Sequence, residues 1–258
     1  MDNNLRESIT SRLYLGAVMS SMVDMVKYSP EGPKIIGNRK FTVCVRSASG
    51  IEVNLFFSKG GCRILEGRDL KLNIILTFKC DRDVNRFFAG ETVLPKLTKG
   101  IFSPFELICF IRLMLLIKRY LEPNLDAKHA LHLRSVHLRL LLRVAFAGMQ
   151  QLAMHEPRSK NIFQGFPKGI AYFDIKEEGF GSWAKVDGES LTIGRGKPPS
   201  PADVIVTFKN SKIAIGALKS EIDPLAAVGT GDITVKGLIP LADGIGQILD
   251  RISLFLKF

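Results

Sequence analysis

A few residues of this chain have side chains whose types and spacing could support chemistry. His129 and His132 are three positions apart, a spacing at which two imidazoles on one helix face can bind a metal ion. No cysteine or carboxylate cluster accompanies them, and a basic helix face exposed to water explains the same pattern. Glu177 and Glu178 are adjacent at a turn, and Gly194-Arg195-Gly196 lacks the spacing of a phosphate-binding loop. We therefore expect no metal, no cofactor and no catalytic residue.

The short motifs of common enzymes are also missing from the sequence. It contains no GxGxxG between a strand and a helix, no GxxxxGK[ST], no GxSxG and no HExxH. These absences favour binding over catalysis. An enzyme that uses a cavity for a hydrophobic substrate remains an alternative.

The cysteines and the N-terminus bear on the cellular compartment. Cys44, Cys62, Cys80 and Cys109 have no CxxC spacing and lie in apolar strands or a helix, so we expect buried, reduced thiols. The first ten residues are polar and do not lead into a signal-peptide pattern. Both observations predict a cytoplasmic protein.

The chain is basic. It has 258 residues, and its 36 Lys and Arg exceed its 25 Asp and Glu, which gives a net charge of +11. Nucleic acid is not expected as a partner, because the Phe residues lie inside apolar segments and there is one Trp. We expect a solvated basic surface that makes weak, salt-sensitive contact with anionic membranes. The predicted contact residues are Lys118, Arg119, Lys128, Arg134 and Arg139.

The sequence contains an internal repeat. Residues 73–79 (NIILTFK) match residues 203–209 (DVIVTFK) at an offset of 130, and this offset is predicted to run without a gap from about residue 12 to Glu91. Thr98-Lys99-Gly100 then corresponds to Val235-Lys236-Gly237, so the first copy is seven residues shorter before its last strand. We predict two domains, residues 1–125 and 126–258.

Each copy has the same predicted order of elements. A helix, which is Met-rich in residues 12–27, precedes three strands with turns between them. A further strand, one or two short helices, a last strand and a closing apolar helix follow. Glu106 and Arg112 interrupt the first closing helix, residues 103–120, so we expect it to be buried over the sheet rather than to span a membrane. A long helix with a solvated basic face is predicted between the copies, ending near residue 154.

The second copy carries a family resemblance in five short motifs. They are Ala202-Asp203, Leu218-Lys219, Asp223-Pro224, Gly231 and Ile233-Thr234-Val235-Lys236-Gly237. In this order they resemble the sterol-carrier-protein domain, the intracellular nonspecific lipid-transfer family. The resemblance implies an α+β fold of two tandem copies, each a mixed five-stranded sheet covered by helices, with an apolar tunnel between sheet and helices. Ser220 departs from the family's Gly-type helix end, and Asp243, Gly244 and Gly246 are expected to interrupt the last helix.

The resemblance also implies a function and a site. The expected function is the binding and transfer of a lipid, fatty acyl or sterol-like ligand, and the alternative from another class is an interaction module whose tunnels are filled by its own side chains. The residues predicted to line the ligand site are Phe208, Ile215, Leu218, Val228, Val235, Ile239, Leu241 and Ile245 in the second copy, and Phe102, Phe105 and Ile108, with Ile101 and Ile111, in the first. Bulky residues over a shortened connection predict a mainly structural first copy, and small residues predict an open cavity in the second.

Overall fold

The protein forms two compact units. The computed structural model describes residues 2–59, 61–67, 70–123, 130–188 and 190–256, without the side chains of residues 130 and 131. Contacts divide the chain into Met1–Arg143 and Val144–Phe258. This division falls within a helix, so the domain boundary at residues 125 and 126 stays a prediction. Lys128 and His129 lie outside the described residues.

The first unit contains a five-stranded mixed sheet and helices. Its helical segments are α1 (Asn3–Arg12), a π-helical turn (Leu13–Val18), a 3-10 turn (Met19–Ser21), α2 (Met22–Tyr28), α3 (Gly32–Ile36), α4 (Asp81–Phe88) and α5 (Pro104–Leu121). Its strands are β1 (Phe41–Ser47), β2 (Glu52–Ser58), β3 (Gly61–Leu65), β4 (Ile74–Phe78) and β5 (Lys96–Lys99). The strand order is β3-β2-β1-β4-β5, with β1 and β4 parallel and the other neighbours antiparallel.

The second unit has the same strand order. Its helices are the C-terminal part of α6 (Ala130–His155), α7 (Pro157–Gln164), α8 (Ser211–Leu218), α9 (Pro224–Gly229) and α10 (Ile239–Ile252). Its strands are β6 (Gly169–Ile175), β7 (Phe180–Asp187), β8 (Ser190–Arg195), β9 (Val204–Phe208) and β10 (Ile233–Gly237), ordered β10-β9-β6-β7-β8 with β6 and β9 parallel. The predicted fold class, an α+β fold with two copies of a mixed five-stranded sheet, is confirmed.

Aromatic side chains fill the core of each unit. In the first, the ring of Phe57 lies 4.9 Å from that of Phe41 and 6.1 Å from that of Phe110. In the second, the ring of Phe173 lies 5.2 Å from that of Phe146 and 6.5 Å from that of Phe208. The helices therefore pack on one face of each sheet. Met19, Met22 and Met25, on the Met-rich face predicted from the sequence, are fully buried as ordinary core residues.

The two parallel central strands of each unit are joined in the same way. In the first unit, Thr42 N donates to Asn73 Oδ1 at 2.9 Å, and Asn73 N donates to Thr42 O at 3.1 Å. In the second, Ile170 N donates to Asp203 Oδ2 at 2.7 Å, and Asp203 N donates to Ile170 O at 2.8 Å. A side chain before the strand thus extends the ladder of backbone hydrogen bonds by one pair.

This shared pair shows that the gapless offset of 130 is wrong. The partners are 31 residues apart in the first unit and 33 in the second. Compared with the first unit, the second has one extra residue in the turn between β6 and β7. It has another in the connection from β8 to β9. Hence β1 corresponds to β6 at an offset of 128.

The connection to the last strand differs between the units. In the second, Asn210 Oδ1 accepts from Ile213 N to cap α8, and Asp223 Oδ1 accepts from Leu225 N to cap α9. In the first, α4 matches α8, but residues 89–95, all of them described, contain no helix. The shorter connection of the first copy therefore lacks a counterpart of α9.

The last helix does not break at its glycines. α10 runs from Ile239 to Ile252 through Asp243, Gly244 and Gly246, so the predicted interruption is wrong. A Cβ added to Gly244 would clash with the ring of Phe166, whereas one added to Gly246 would meet nothing within 4 Å. The space beside Gly244 is thus filled by an aromatic ring from the same unit.

Candidate functional site

Half of the predicted ligand residues of the second unit lie in its core. Phe208 and Ile215 are buried, and Leu241 and Ile245 are fully buried. They are brought together because α10 packs on β6, β9 and β10, while α8 packs on β9. These four side chains form a packed interior, and whether a ligand can reach them stays a prediction.

The other four predicted residues lie between this core and the surface. Leu218 and Val235 are half-buried, while Val228 and Ile239 are exposed. Val235 is paired with the buried Val206, so its side chain is on the face of the sheet that the helices cover. The helices therefore leave this face partly open at the edge formed by β10.

The first unit is open at the equivalent edge. Leu97 of β5 is paired with Leu76 of β4, and both are half-buried although Phe78, on the same face, is buried. Leu94 before this strand and Ile101 after it are exposed. We use the term apolar edge for two sets of residues. In the first unit they are Leu76, Leu94, Leu97 and Ile101, and in the second they are Leu218, Leu225, Val228, Val235 and Ile239. Leu94 and Leu225 were not predicted as site residues.

The predicted residues of the first closing helix lie on its outer face. Phe102 before the helix is 100% exposed, and Phe105 and Ile108 are 68% and 54% exposed. Phe110, Leu113 and Ile117, on the opposite face of α5, are buried. The helix, which was expected to be buried over the sheet, is therefore buried on one face only, and Phe102, Phe105 and Ile108 lie on the exposed side. Their part in ligand binding stays a prediction.

The exposed face of α5 continues along the whole helix. Ile111 and Leu115 extend the apolar part, and Arg112, Lys118 and Arg119 are exposed on the same side. We call the apolar residues Phe102, Phe105, Ile108, Ile111 and Leu115 the α5 stripe. Among the described residues, no helix combines the length and the apolar content needed to cross a bilayer.

A groove of about 470 Å³ lies beside the α5 stripe. It is lined by Glu31, Lys34, Ile35, Arg112, Leu115, Leu116 and Arg119. Tyr120 Oη donates to Glu31 Oε2 at 2.8 Å, and Arg119 Nη1 lies 3.9 Å from Glu31 Oε1. Burial, together with the hydrogen bond to Glu31, raises the pKa of Tyr120. The one carboxylate of the groove is thus already engaged by the protein, whereas three cations line it.

In the described part of the helix between the copies, the predicted solvated basic face is only partly present. His137 is buried, with Nδ1 2.8 Å from Tyr120 O, and the Arg139 guanidinium lies 4.4 Å from the centre of the Tyr28 ring. Burial lowers the pKa of Arg143. Arg134 is half-buried, so Lys118 and Arg119 are the exposed members of the predicted membrane contact within the described residues.

The His pair of this helix is not complete in the described part of the chain. His132 is exposed and His129 lies outside that part. Within the described ranges, no three His, Cys, Asp or Glu residues are placed to hold a metal ion.

The thiols of Cys44 and Cys62 are poorly suited to nucleophilic chemistry. All four cysteines are free. Burial, with a smaller effect of Glu52, raises the pKa of Cys44 to about 11, and burial raises that of Cys62 to about 12. Both remain protonated at neutral pH, and the thiolate is the reactive form. Cys80 differs from the prediction, because it is exposed just before α4.

A buried ion pair fixes the closing helix of the second unit, and sequence reasoning missed it. Arg251 Nη2 lies 2.8 Å from Glu156 Oε1, and Glu156 Oε2 accepts from Ser159 N at 2.6 Å. Burial alone would raise the pKa of Glu156, but the hydrogen bonds from Arg251 and Ser159 outweigh it and lower the pKa. The pair joins the start of α7 to α10. Its residues are 95 positions apart, so no local pattern indicates it.

Similarity to known proteins is limited to the fold. No family model and no curated protein matches the chain. Among solved structures, a UbiJ-SCP2 ubiquinone synthesis protein is 14% identical, with a TM-score of 0.34, over 43% of this chain and 93% of that one. Sterol carrier protein domain 2 of Helicoverpa armigera is 13% identical, with a TM-score of 0.34, over 46% of this chain and 92% of that one. The family that the sequence resembles is thus found again among similar structures.

An enzyme also appears among the similar structures. The inverting sec-alkylsulfatase Pisa1 from Pseudomonas is 10% identical, with a TM-score of 0.29, over 61% of this chain and 29% of that one.

Proposed function

We propose that this protein binds a lipid or another hydrophobic ligand at the apolar edge of its units and carries it, without catalysis, in the cytoplasm. The observation that supports this most is that both units leave the covered face of the sheet partly open at the same place. Val235 in the second unit and Leu97 in the first are half-buried there, next to exposed apolar side chains. A feature present twice on one fold is better explained by a shared use than by chance packing.

Apolar contact alone provides enough free energy for such a site. Burying one methylene group contributes about 0.8 kcal/mol. A ligand chain of about sixteen carbons would gain roughly 10 kcal/mol before the costs of ordering are subtracted. No polar motif is then required, which agrees with the absence of catalytic signatures from the sequence.

The second unit is the better candidate for the main site. Its α9 adds Leu225 and Val228 to the apolar edge, and the exposure of the apolar side chains falls from these through Leu218 and Val235 to the core. A chain lying on Ile239 and Val235 would approach the buried Ile215, Phe208, Leu241 and Ile245, and in this proposal the half-buried Leu218 at the end of α8 closes that path. The sterol-carrier resemblance is also concentrated here.

A second candidate function is a non-enzymatic interaction module whose interior is closed. The full burial of Leu241 and Ile245, and the Phe166 ring beside Gly244, favour this alternative. In that case the apolar edge would bind another protein, and the interior would never open.

Native mass spectrometry of the full chain purified from cells separates the two functions. We expect adducts with the masses of lipids, which organic solvent removes and a fluorescent fatty acid replaces. Leu225→Asp should lower the probe affinity and the adduct yield, whereas Met154→Asp, at another exposed apolar position on α6, should change neither. A protein without adducts that also fails to bind the probe would favour the closed module.

A further inference from the structure

We propose that α5 is a membrane-docking helix, in which the α5 stripe enters the surface of an anionic bilayer and the basic groove beside it holds lipid phosphate. This inference rests on the proposed function, because a lipid carrier has to reach the bilayer where its ligand is loaded. The α5 stripe is a different surface from the apolar edge, and its proposed partner is the anionic bilayer.

The stripe has the geometry of an interfacial contact. Its residues follow one another at intervals of three or four, which places Phe105, Ile108, Ile111 and Leu115 on one side of α5, and Phe102 comes just before the helix. Phe102 is fully exposed, and Leu115 is 66% exposed near the other end of the line. A continuous row of exposed aromatic and aliphatic side chains is unusual on a protein that meets only water. The opposite face of α5 is buried, so the helix is held in place and the stripe cannot turn inward.

The charges around the stripe select an anionic partner. Arg112, Lys118 and Arg119 are exposed on the same side of α5, and Lys34 reaches the groove from α3. Glu31, the carboxylate that lines the groove, accepts a hydrogen bond from Tyr120 and lies beside Arg119. Long basic side chains at the end of an apolar row can keep their stems on the acyl boundary while their heads bind phosphate.

These charges disfavour a second copy of the chain as the partner. A two-fold contact through α5 brings the same surface against itself. The exposed positions from residue 102 to residue 119, all of them described, carry no carboxylate, and the one acidic residue of this segment, Glu106, is half-buried. Arg112, Lys118 and Arg119 would therefore lie opposite apolar side chains or one another. An anionic bilayer offers both an apolar layer and a negative surface.

The second unit supplies a natural comparison. Beyond Ile239, the exposed positions of α10 include Asp243, Gln247 and Asp250. The closing helix in the same topological position is therefore polar and acidic on its outer face. The apolar face of α5 is not a requirement of the fold, because the other copy folds without it.

Vesicle flotation of the full chain tests the proposal. The probes are phosphatidylcholine vesicles with and without phosphatidylserine, at low and high salt. We expect binding to the anionic vesicles that weakens with salt. Phe102→Ser with Phe105→Ser should weaken it at least about tenfold, because two large apolar groups then leave the acyl boundary. Arg112→Gln with Arg119→Gln should remove the preference for phosphatidylserine, and Met154→Ser should change nothing.

The same measurements can overturn the proposal. It fails if the wild-type chain does not float, if the serine variants bind as tightly as wild type, or if Met154→Ser loses as much binding. It also fails if the serine variants change the oligomeric state instead, because the stripe would then be a contact between proteins. Retention of the fatty-acid probe by the serine variants would keep the proposed function, and vesicle binding without any probe binding would remove that function while docking stands.

Discussion

Asp203 and Ile170 hold the two central parallel strands of the second unit together through a reciprocal pair of hydrogen bonds. The Asp203 carboxylate accepts from Ile170 N at 2.7 Å, and the Asp203 backbone N donates to Ile170 O at 2.8 Å. In the first unit an amide, that of Asn73, replaces the carboxylate. The contact therefore depends on an acceptor oxygen at this position and not on a negative charge.

Substitutions of Asp203 should separate the acceptor from the charge. Asp203→Asn should change the free energy of unfolding by less than about 0.5 kcal/mol, whereas Asp203→Ala should lower it by about 1–3 kcal/mol because Ile170 N loses its partner. Trp183, the single Trp, lies on β7, so its fluorescence in a urea titration reports the unfolding of the second unit. Equal losses for the two variants would show that the charge matters.

Ser220 should be a site where glycine stabilises the protein. Ser220 follows α8 with a φ of 56°, a left-handed conformation that is strained for a residue with a Cβ. At the equivalent end of α4, Gly90 has a φ of 86°. We expect Ser220→Gly to raise the free energy of unfolding by about 1 kcal/mol, measured with Trp183 fluorescence.

The matched change in the first unit should have the opposite sign. Gly90→Ser should destabilise that unit by about 1 kcal/mol, measured by circular dichroism during urea unfolding. A neutral or destabilising Ser220→Gly would mean that the serine hydroxyl provides a compensating interaction.

The buried pair of Glu156 and Arg251 should make the second unit sensitive to acid. The pKa of Glu156 is lowered in the folded state, so the pair contributes stability above the unfolded pKa of about 4.3, and this stability is lost as the pH falls through the folded pKa. Glu156→Gln should cost about 3 kcal/mol at neutral pH, because the Arg251 charge then stays buried without its counter-ion.

Urea unfolding followed by Trp183 fluorescence at several pH values checks this. The free energy of unfolding of wild type should fall more steeply below about pH 5 than that of Glu156→Gln. A variant with the same acid dependence as wild type would place the acid sensitivity in other carboxylates. Asp243→Asn, on the exposed side of α10, serves as the control.

Leu218→Trp should block the proposed ligand site without unfolding the protein. Leu218 is half-buried at the end of α8, so a larger side chain can turn partly into solvent. In the proposed site it would cover the approach to Ile215. Titration of the full chain with a fluorescent fatty acid should show at least about tenfold weaker binding. Met154→Trp, at an exposed site on α6, should keep wild-type affinity. An unchanged affinity in folded Leu218→Trp would remove this residue from the site.

Sequence patterns predict much of the fold, and the errors of that prediction have physical causes. The repeat and the turn residues predict five strands in each copy. The true offset of β1 was missed because side chains alternate between the two faces of a strand, so a shift of two residues gives the same pattern of inward and outward positions. Pairing with the segments around residues 73 and 203, which is a long-range contact, fixes the register.

The candidate site was predictable only in part. The apolar residue types in the sequence identify Phe208, Leu241 and Ile245. However, the same residue types line both a dry packed interior and a ligand cavity, so the sequence does not distinguish the two. For α5, a helix that is apolar on nearly every side contains no polar face to show which side the sheet covers. The polar side chains of His137 and Arg139 suggested solvent, yet His137 is buried against a carbonyl oxygen and the half-buried Arg139 lies over an aromatic ring.

The strand order of the two sheets also bears on aggregation. β3 and β5 end one sheet and β8 and β10 end the other, and an unpaired outer strand can recruit a strand from a foreign chain and start a fibril. Each of these strands carries an exposed cation, namely Arg63 on β3, Lys96 and Lys99 on β5, Arg195 on β8 and Lys236 on β10. Repulsion between such residues opposes stacking of one copy of the protein on another. Part of the positive charge of the chain therefore opposes association of its molecules through their sheet edges at high protein concentration.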